Sequence, residues 1–349
     1  MEIVVENIKE VIRLKFVLDE NIALRSWIDY ANAILSKNQA RATRIGRDRF
    51  ELLKKCDGLN DLEDSDTCGS LLTVGLFGSL SRDGLVSDVN LEDVNIIGSS
   101  SSADYIGSLV GFNPGTIEKA SVTGSINLSN GNFVGGIIGE NIGIAKELDA
   151  DINISIIANS FNEIYAGTIA GRSNGGEIDT ITSQGSINIE SKGRLYIGGA
   201  VGHLVDKLTT VTANVELTVH NLSSSNNYIG VVSGYADKEL SNINTKGSIT
   251  VTFDDRTGGY VGGVVGYANK NINNCKNEAE FNIKNSKSEV YLGGIAGYSL
   301  ANIDNCENSV SIDLEDSNLG YIGGIAGKAY DVTNCHNYKD IIANGNGNS

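Results

Sequence analysis

The sequence predicts an all-β protein: a right-handed parallel β-solenoid of about nine coils of about 31 residues, with a short helical insertion near the N-terminus. Three observations carry this. First, a seven-residue signature recurs eight times, starting at Tyr105, Phe133, Tyr165, Tyr196, Tyr228, Tyr260, Tyr291 and Tyr321. A near-constant period of that size marks a repeat architecture. Second, short stretches of alternating apolar residues separated by Asn, Asp, Gly and Ser turns follow each signature, which is strand patterning. Third, about ten residues per strand and turn, three to a period, describe a three-sided coil whose neighbours stack at about 4.8 Å. The right hand follows from the preference of parallel crossovers.

Residues 1–69 read as a separate segment, a strand plus a helical and loop insertion that caps the solenoid. Ile12, Leu14, Phe16 and Leu18 alternate at strand period. Leu24, Trp27, Ile28, Ala31, Ile34 and Leu35 fall at helical spacing, and a second helical run covers 47–55. Residues 1–56 hold 11 Lys/Arg against 8 Asp/Glu, although the whole chain carries a net charge of −16. The basic cluster Arg41, Arg44, Arg47, Arg49, Lys54 and Lys55 is either a solvated helix face or a docking patch for an acidic partner. Residues 57–69 form an acidic loop.

Residues 70–349 are the repeat region. It opens on a shortened signature, Gly75-Leu76-Phe77-Gly78, one period before Tyr105. With 42 glycines but the single proline Pro114, the composition excludes collagen and Pro-rich disorder. The acidic shaft repels nucleic acid and anionic lipid, so neither is an expected partner. No stretch reaches the roughly 18 apolar residues of a membrane span. Glu2, Glu6, Lys9, Glu10, Arg13 and Lys15 interrupt the opening stretch, so no signal peptide is read there. The chain is read as a piece of a longer exported protein.

The copies form an internal substitution series. The first and last glycines of the signature never vary, from Gly107 and Gly111 to Gly323 and Gly327, whereas the middle one becomes Ser108, Thr168 and Val231. A β-branched residue is an outlier at positive φ, so the middle site is expected in ordinary strand geometry. The invariant pair is expected at a corner, a bulge or a close backbone approach. By this reading a side chain at Gly262 or Gly293 harms the fold more than one at Gly263 or Gly294.

Cys275, Cys306 and Cys335 recur as Asn-Cys-x-Asn, at a site held by Ala120, Ile181, Val211 and Ile243 in earlier coils. They are therefore expected to be buried, reduced core residues rather than metal ligands. His203, His220 and His336 lack ligand spacing, and no metal or cofactor is expected. Cys56 and Cys68 are close enough in sequence to pair in an exported chain. Asn274, Asn305 and Asn334, and Asn277, Asn308 and Asn337, are expected to form amide ladders.

The Gly-Leu-x-Gly core behind an aromatic, followed by Ile-x-Asn-Cys or Ile-x-x-Ala-x-Val-x-Gly, resembles the GLUG repeat of large bacterial surface proteins. These include regions attached to some immunoglobulin-A-cleaving metallopeptidases. The resemblance covers roughly residues 70–340. The stretch from Phe16 to Trp27 is also similar to the opening of such regions, with Glu20-Asn21 where a second Asp is usual. The resemblance implies an exported bacterial β-solenoid. His-Glu-x-x-His is missing, so no peptidase activity is implied.

Three function classes are weighed. One is a non-catalytic cell-surface or secreted module, an adhesin passenger or stalk binding a protein or glycan. Another is a filament subunit that self-associates through its coil ends. The third is a carbohydrate-active β-helix enzyme, with Asp254-Asp255-Arg256 and Glu315-Asp316 as its candidates, although both read as solvated turns. Ice binding is discounted because Thr210, Thr212 and Thr218 are not expected to repeat in neighbouring coils. The candidate ligand surface is the aromatic column Tyr196, Tyr228, Tyr260, Tyr291 and Tyr321. If the signature is one strand, Tyr321, Gly323, Ile325 and Gly327 share a side, and stacked tyrosines flanked by glycine grooves would suit sugar rings or a partner sheet. The competing account turns the signature through a corner and folds the tyrosines against a neighbouring turn.

Overall fold

A computed structural model describes residues 73–99, 104–222, 226–253, 258–284, 289–315 and 320–344. Residues 1–69, with the expected strand, helical insertion, basic cluster, acidic loop, Cys56 and Cys68, lie outside the described residues, as do Asp254-Asp255-Arg256 and Asp316. Among those described there is no helix. The chain winds as a parallel β-solenoid whose successive turns add one strand to each of three parallel sheets. Two of the sheets are nine strands deep, which makes about eight turns. The expected count of about nine coils is thus not reached among the described residues.

The register is the one that the signature dictates. Tyr105 pairs with Phe133, Phe133 with Tyr165, Tyr165 with Tyr196, and so on to Tyr291 with Tyr321. The signature is not one strand, however. It is two short strands, such as Val290–Gly293 and Ala296–Ser299, meeting at a bend. The bend resets the alternation, so Leu292, Ile295 and Ala296 are all fully buried. The expectation that Ile325 shares an outward side with Tyr321 and Gly327 therefore fails. The corner account of the signature holds.

The remainder of each coil is one long strand in the middle of the solenoid, for example Glu177–Ser191 and Leu208–Asn221. Its inward residues alternate with exposed polar ones, and Leu208, Val215 and Leu217 are fully buried. Each such side chain contributes about 1.5–3 kcal/mol by leaving water. In every coil this segment bends at an equivalent residue with φ between 51° and 61°: Asp88, Lys119, Glu147, Thr180, Thr210, Asn242, Asn274, Asn305 and Asn334; the first of these strands has a second such residue, Asp93, where its register shifts. Asn adopts this left-handed region readily, whereas the β-branched Thr180 and Thr210 are strained in it. The recurring Asn274, Asn305 and Asn334 are thus bend residues before they are ladder residues. The ladder runs from Asn242 through Asn274 to Asn305, with amide contacts of 3.3 and 2.7 Å. It stops at Asn334, which donates to Asp304 instead.

No glycine of the signature has positive φ. Their role is close approach. A Cβ on Gly293 would lie under 3.0 Å from the backbone of Ala296 and Ala326. The middle glycine is no more permissive, because a Cβ on Gly294 would collide with Gly324 O and the Asn308 side chain. The expected difference between Gly293 and Gly294 is therefore overturned. Ser108, Thr168 and Val231 fit only because the long strand of the same coil supplies Gly124, Gly185 and Gly247, at φ of 141°, 102° and 95°. Where the middle residue is Gly136 or Gly199, that column holds Ile152 or Val215, and a Cβ would meet their side chains at 2.5 and 3.0 Å. From Gly263 onward the inward Asn277, Asn308 and Asn337 fill the space.

The bend column gives a direct test. Replacing Thr180 and Thr210, both exposed, by Asn should raise stability by on the order of 1 kcal/mol in chemical denaturation. Val at the same sites should give no gain. An equal response to Asn and Val would mean that left-handed strain is not what distinguishes these residues.

Candidate functional site

The eight signature aromatics form one continuous ring stack. Centroid distances run from 4.5 Å for Tyr165–Tyr196 to 5.2 Å for Tyr228–Tyr260, and six of the seven steps are near-parallel stacks. This spacing is the coil repeat itself: strand pairing at about 4.8 Å places each ring on the next. The column is sealed only at Phe133 and Tyr165. Tyr105, Tyr196, Tyr228, Tyr260 and Tyr291 are half-buried, and Tyr321 is 47% exposed. The five tyrosines singled out in the sequence make up the continuous run beyond the sealed pair.

A second column, which the sequence reading missed, flanks the first. It is the residue directly after the last glycine of each signature: Phe112, Glu140, Arg172, His203, Tyr235, Tyr267, Tyr298 and Lys328. Tyr235, Tyr267 and Tyr298 stack face to face at 5.0 Å. They meet the first column edge-on, with Tyr228–Tyr235 and Tyr260–Tyr267 both at 5.1 Å and 83°. Phe112 stacks on Tyr105 at 5.4 Å, and between it and His203 charge replaces the rings. The buried Glu140 carboxylate accepts from Arg172, whose guanidinium lies 4.7 Å over the Phe133 ring. His203 Nε2 is 3.1 Å from Asp237 Oδ2, and burial holds the imidazole pKa below its ordinary value despite that carboxylate.

This geometry changes what the column offers a ligand. The faces of Tyr196, Tyr228, Tyr260 and Tyr291 are occupied by the rings above and below, so they present edges and phenolic hydroxyls rather than sugar-stacking platforms. The glycine grooves are closed by backbone, as the Cβ collisions require. What is exposed is a ladder of hydroxyl-bearing rings at the coil spacing, bordered by a second ladder.

The other singled-out columns are structural. Cys275 and Cys306 are buried and unpaired, and their backbone N–H groups donate to the sulfurs of Cys306 and Cys335 at 3.4 and 3.3 Å. A hydrogen bond with Cys306, reinforced by burial, holds the Cys275 thiol pKa well above the ordinary range. Burial lifts that of Cys335 to about 11. Cys335 is only half-buried, contrary to expectation, its coil being the last among the described residues. Asn277 donates to Asn308 at 2.9 Å and Asn308 to Asn337 at 2.8 Å, a buried amide ladder as expected. Thr212 does lie beside Thr182, and Thr218 beside Thr250, which corrects the sequence reading. Those rows end within two coils at Asp149 and Asn244, and at Asn188 and Asn282. Glu315 ends the strand Ile312–Glu315. Among the described residues no His/Cys/Asp/Glu group is arranged to hold a metal, and no helix is long and apolar enough to cross a membrane. No family model, curated protein or solved structure matches the chain.

Burial in the paired columns pushes the Tyr228, Tyr267 and Tyr291 hydroxyls up to about 12 from an ordinary value near 10. The folded state then holds these protons while the unfolded chain releases them. Their contribution to stability is complete below about pH 10 and is lost as pH rises toward 12. Melting temperature should be flat to about pH 10 and fall beyond it, with phenolate absorbance lagging behind that of the unfolded chain. Tyrosines that titrate together near 10 with no loss of stability would contradict the packing of the two columns.

Proposed function

We propose that the chain is a non-catalytic repeat module, an adhesin passenger or stalk of a bacterial surface or secreted protein. It binds a protein or glycan through the run of tyrosines Tyr196, Tyr228, Tyr260, Tyr291 and Tyr321. The observation that carries this reading is the regular hydroxyl and ring-edge ladder, half-exposed over consecutive coils and repeating at the coil spacing. A ligand with its own repeating polar groups, a polysaccharide or an extended peptide, can bond to several rungs at once, and multivalency makes weak contacts additive. The GLUG-like signature supports placement outside the cell as part of a longer exported chain. The same reading gives the coil a right hand. The net charge of −16 speaks against nucleic acid as the ligand.

The test separates binding from packing. Replacing Tyr228, Tyr260 and Tyr291 together by Phe keeps the ring stack and removes three hydroxyls. The melting temperature should stay within a few degrees of the parent, while retention on immobilised glycans or protein-coated surfaces should fall about tenfold, equivalent to about 1.4 kcal/mol. Unchanged retention, or no retention of the parent chain on any such surface, would make the column purely structural.

A further inference from the structure

The ring column has a polarity that ligand binding does not use. Tyr165, Tyr196, Tyr228, Tyr260 and Tyr291 stack without interruption, at centroid distances of 4.5, 4.9, 5.2 and 5.0 Å. Each phenol ring is thus in van der Waals contact with the next. On the other side of Tyr165 stands Phe133, a ring with no hydroxyl and far harder to oxidise than a phenol. Tyr165 is also the buried member of the run, 8% exposed, whereas the four that follow are half-buried with their edges at the surface. Its hydroxyl donates to Glu163 Oε2 at 2.6 Å, and Arg194 holds the other oxygen of that carboxylate at 3.1 Å. The Glu163 side chain is 42% exposed, so a proton placed on it reaches water. Tyr291 has a similar partner in Glu289 but lies open to solvent.

We propose that this run is a one-electron relay, which carries an oxidising equivalent from the surface tyrosines inward and stores it as a neutral radical on Tyr165. The inference is independent of whatever the column binds. A radical of the peroxyl class takes a hydrogen atom from an exposed phenol such as Tyr228 and leaves as the hydroperoxide. The tyrosyl radical so formed takes one electron from the next ring in the stack and one proton from water, which restores its phenol. The ring that gave the electron releases its own proton to water and becomes the radical in turn. At Tyr165 the electron goes to the Tyr196 radical, and the proton crosses the hydrogen bond to Glu163, which passes it to water. Three features make Tyr165 the terminus. Its proton has a fixed acceptor, so electron and proton leave together and no uncompensated charge is left in a buried site, where it would be costly. Arg172, 5.8 Å from the ring centroid, disfavours a radical cation there and so favours the neutral product. Phe133 blocks onward transfer to Tyr105, and burial keeps the radical from coupling with a second phenol, which is how exposed tyrosyl radicals are lost.

Flash photolysis of the intact chain with a ruthenium(III) polypyridyl oxidant, followed by electron paramagnetic resonance, tests this. The oxidant is bulky and meets only the surface rings. The parent should give a tyrosyl signal that decays quickly as dityrosine forms, and a long-lived one that narrows when the protein carries ring-deuterated tyrosine. Tyr165→Phe should remove the long-lived signal and keep the short-lived one. Tyr196→Phe keeps the ring stack but cuts Tyr165 off from the surface phenols; it should also remove the long-lived signal and raise the dityrosine yield. Glu163→Gln should lower the long-lived yield, while Tyr105→Phe, beyond Phe133, should leave it unchanged. Melting temperatures identify any variant that fails to fold; if Tyr165→Phe does, the half-buried Tyr196→Phe carries the test. A parent without a long-lived tyrosyl signal, one that survives Tyr165→Phe or Tyr196→Phe, or one indifferent to Glu163→Gln would each overturn the proposal.

Discussion

The constraint on which the rest of the structure depends is the close approach of backbones at the signature corner. The two short strands of a coil bend back so tightly that a Cβ at the first or last glycine would fall within 3.0 Å of backbone in its own or the adjacent coil. Only hydrogen fits, so the corner sits at the same height and angle in each coil. Vertical superposition of every other column follows. The rings stack at the coil spacing because their Cα atoms are stacked, and the Asn277–Asn308–Asn337 amides reach one another for the same reason. Size matching inside the coil obeys the same constraint. Space at the middle signature position is either left empty for Ile152 or Val215, or filled by Ser108, Thr168 or Val231 against a glycine.

Energetically the solenoid is close to one-dimensional. Each coil touches its two neighbours, and stability is a sum of coil and interface terms. This accounts for the local sealing of the aromatic column at Phe133 and Tyr165. Phe133 and Tyr165 are sealed by the Arg172–Glu140 pair, whereas the coils from Tyr196 onward carry rings in the second column and leave their edges at the surface. It also accounts for the half-burial of Cys335, which occupies the core site of the last described coil.

The coil register was legible in the sequence because the signature is nearly invariant and recurs almost evenly from Tyr105 to Tyr321. The substitution series also placed Cys275 and Cys306 in the core, Cys275 pairing with Ile243, although Cys335 is only half-buried. The corner inside the signature was not legible, because Ile295-Ala296 continues an apolar alternation that the backbone has already broken. The left-handed bend was masked by Lys119, Glu147, Thr180 and Thr210, residue types that do not advertise positive φ. The second column was missed because Glu140, Arg172 and His203 share no chemistry with Tyr235, although all follow an invariant glycine. The antiphase of Val231 with Gly247 and of Gly199 with Val215 becomes visible only once the long strands are in register.

If vertical superposition of equivalent coils is what specifies this fold, one coil can be removed without loss of the rest. The most direct measurement is the thermal unfolding of a chain lacking residues 228–259, one full period from Tyr228 to the residue before Tyr260. The deletion places Tyr260 on Tyr196, Ile272 on Leu208 and Cys275 on Val211. The account predicts a β-sheet circular-dichroism spectrum and a cooperative melt only modestly below that of the parent. Loss of the cooperative transition would contradict it, because it would mean that contacts beyond neighbouring coils hold the solenoid together.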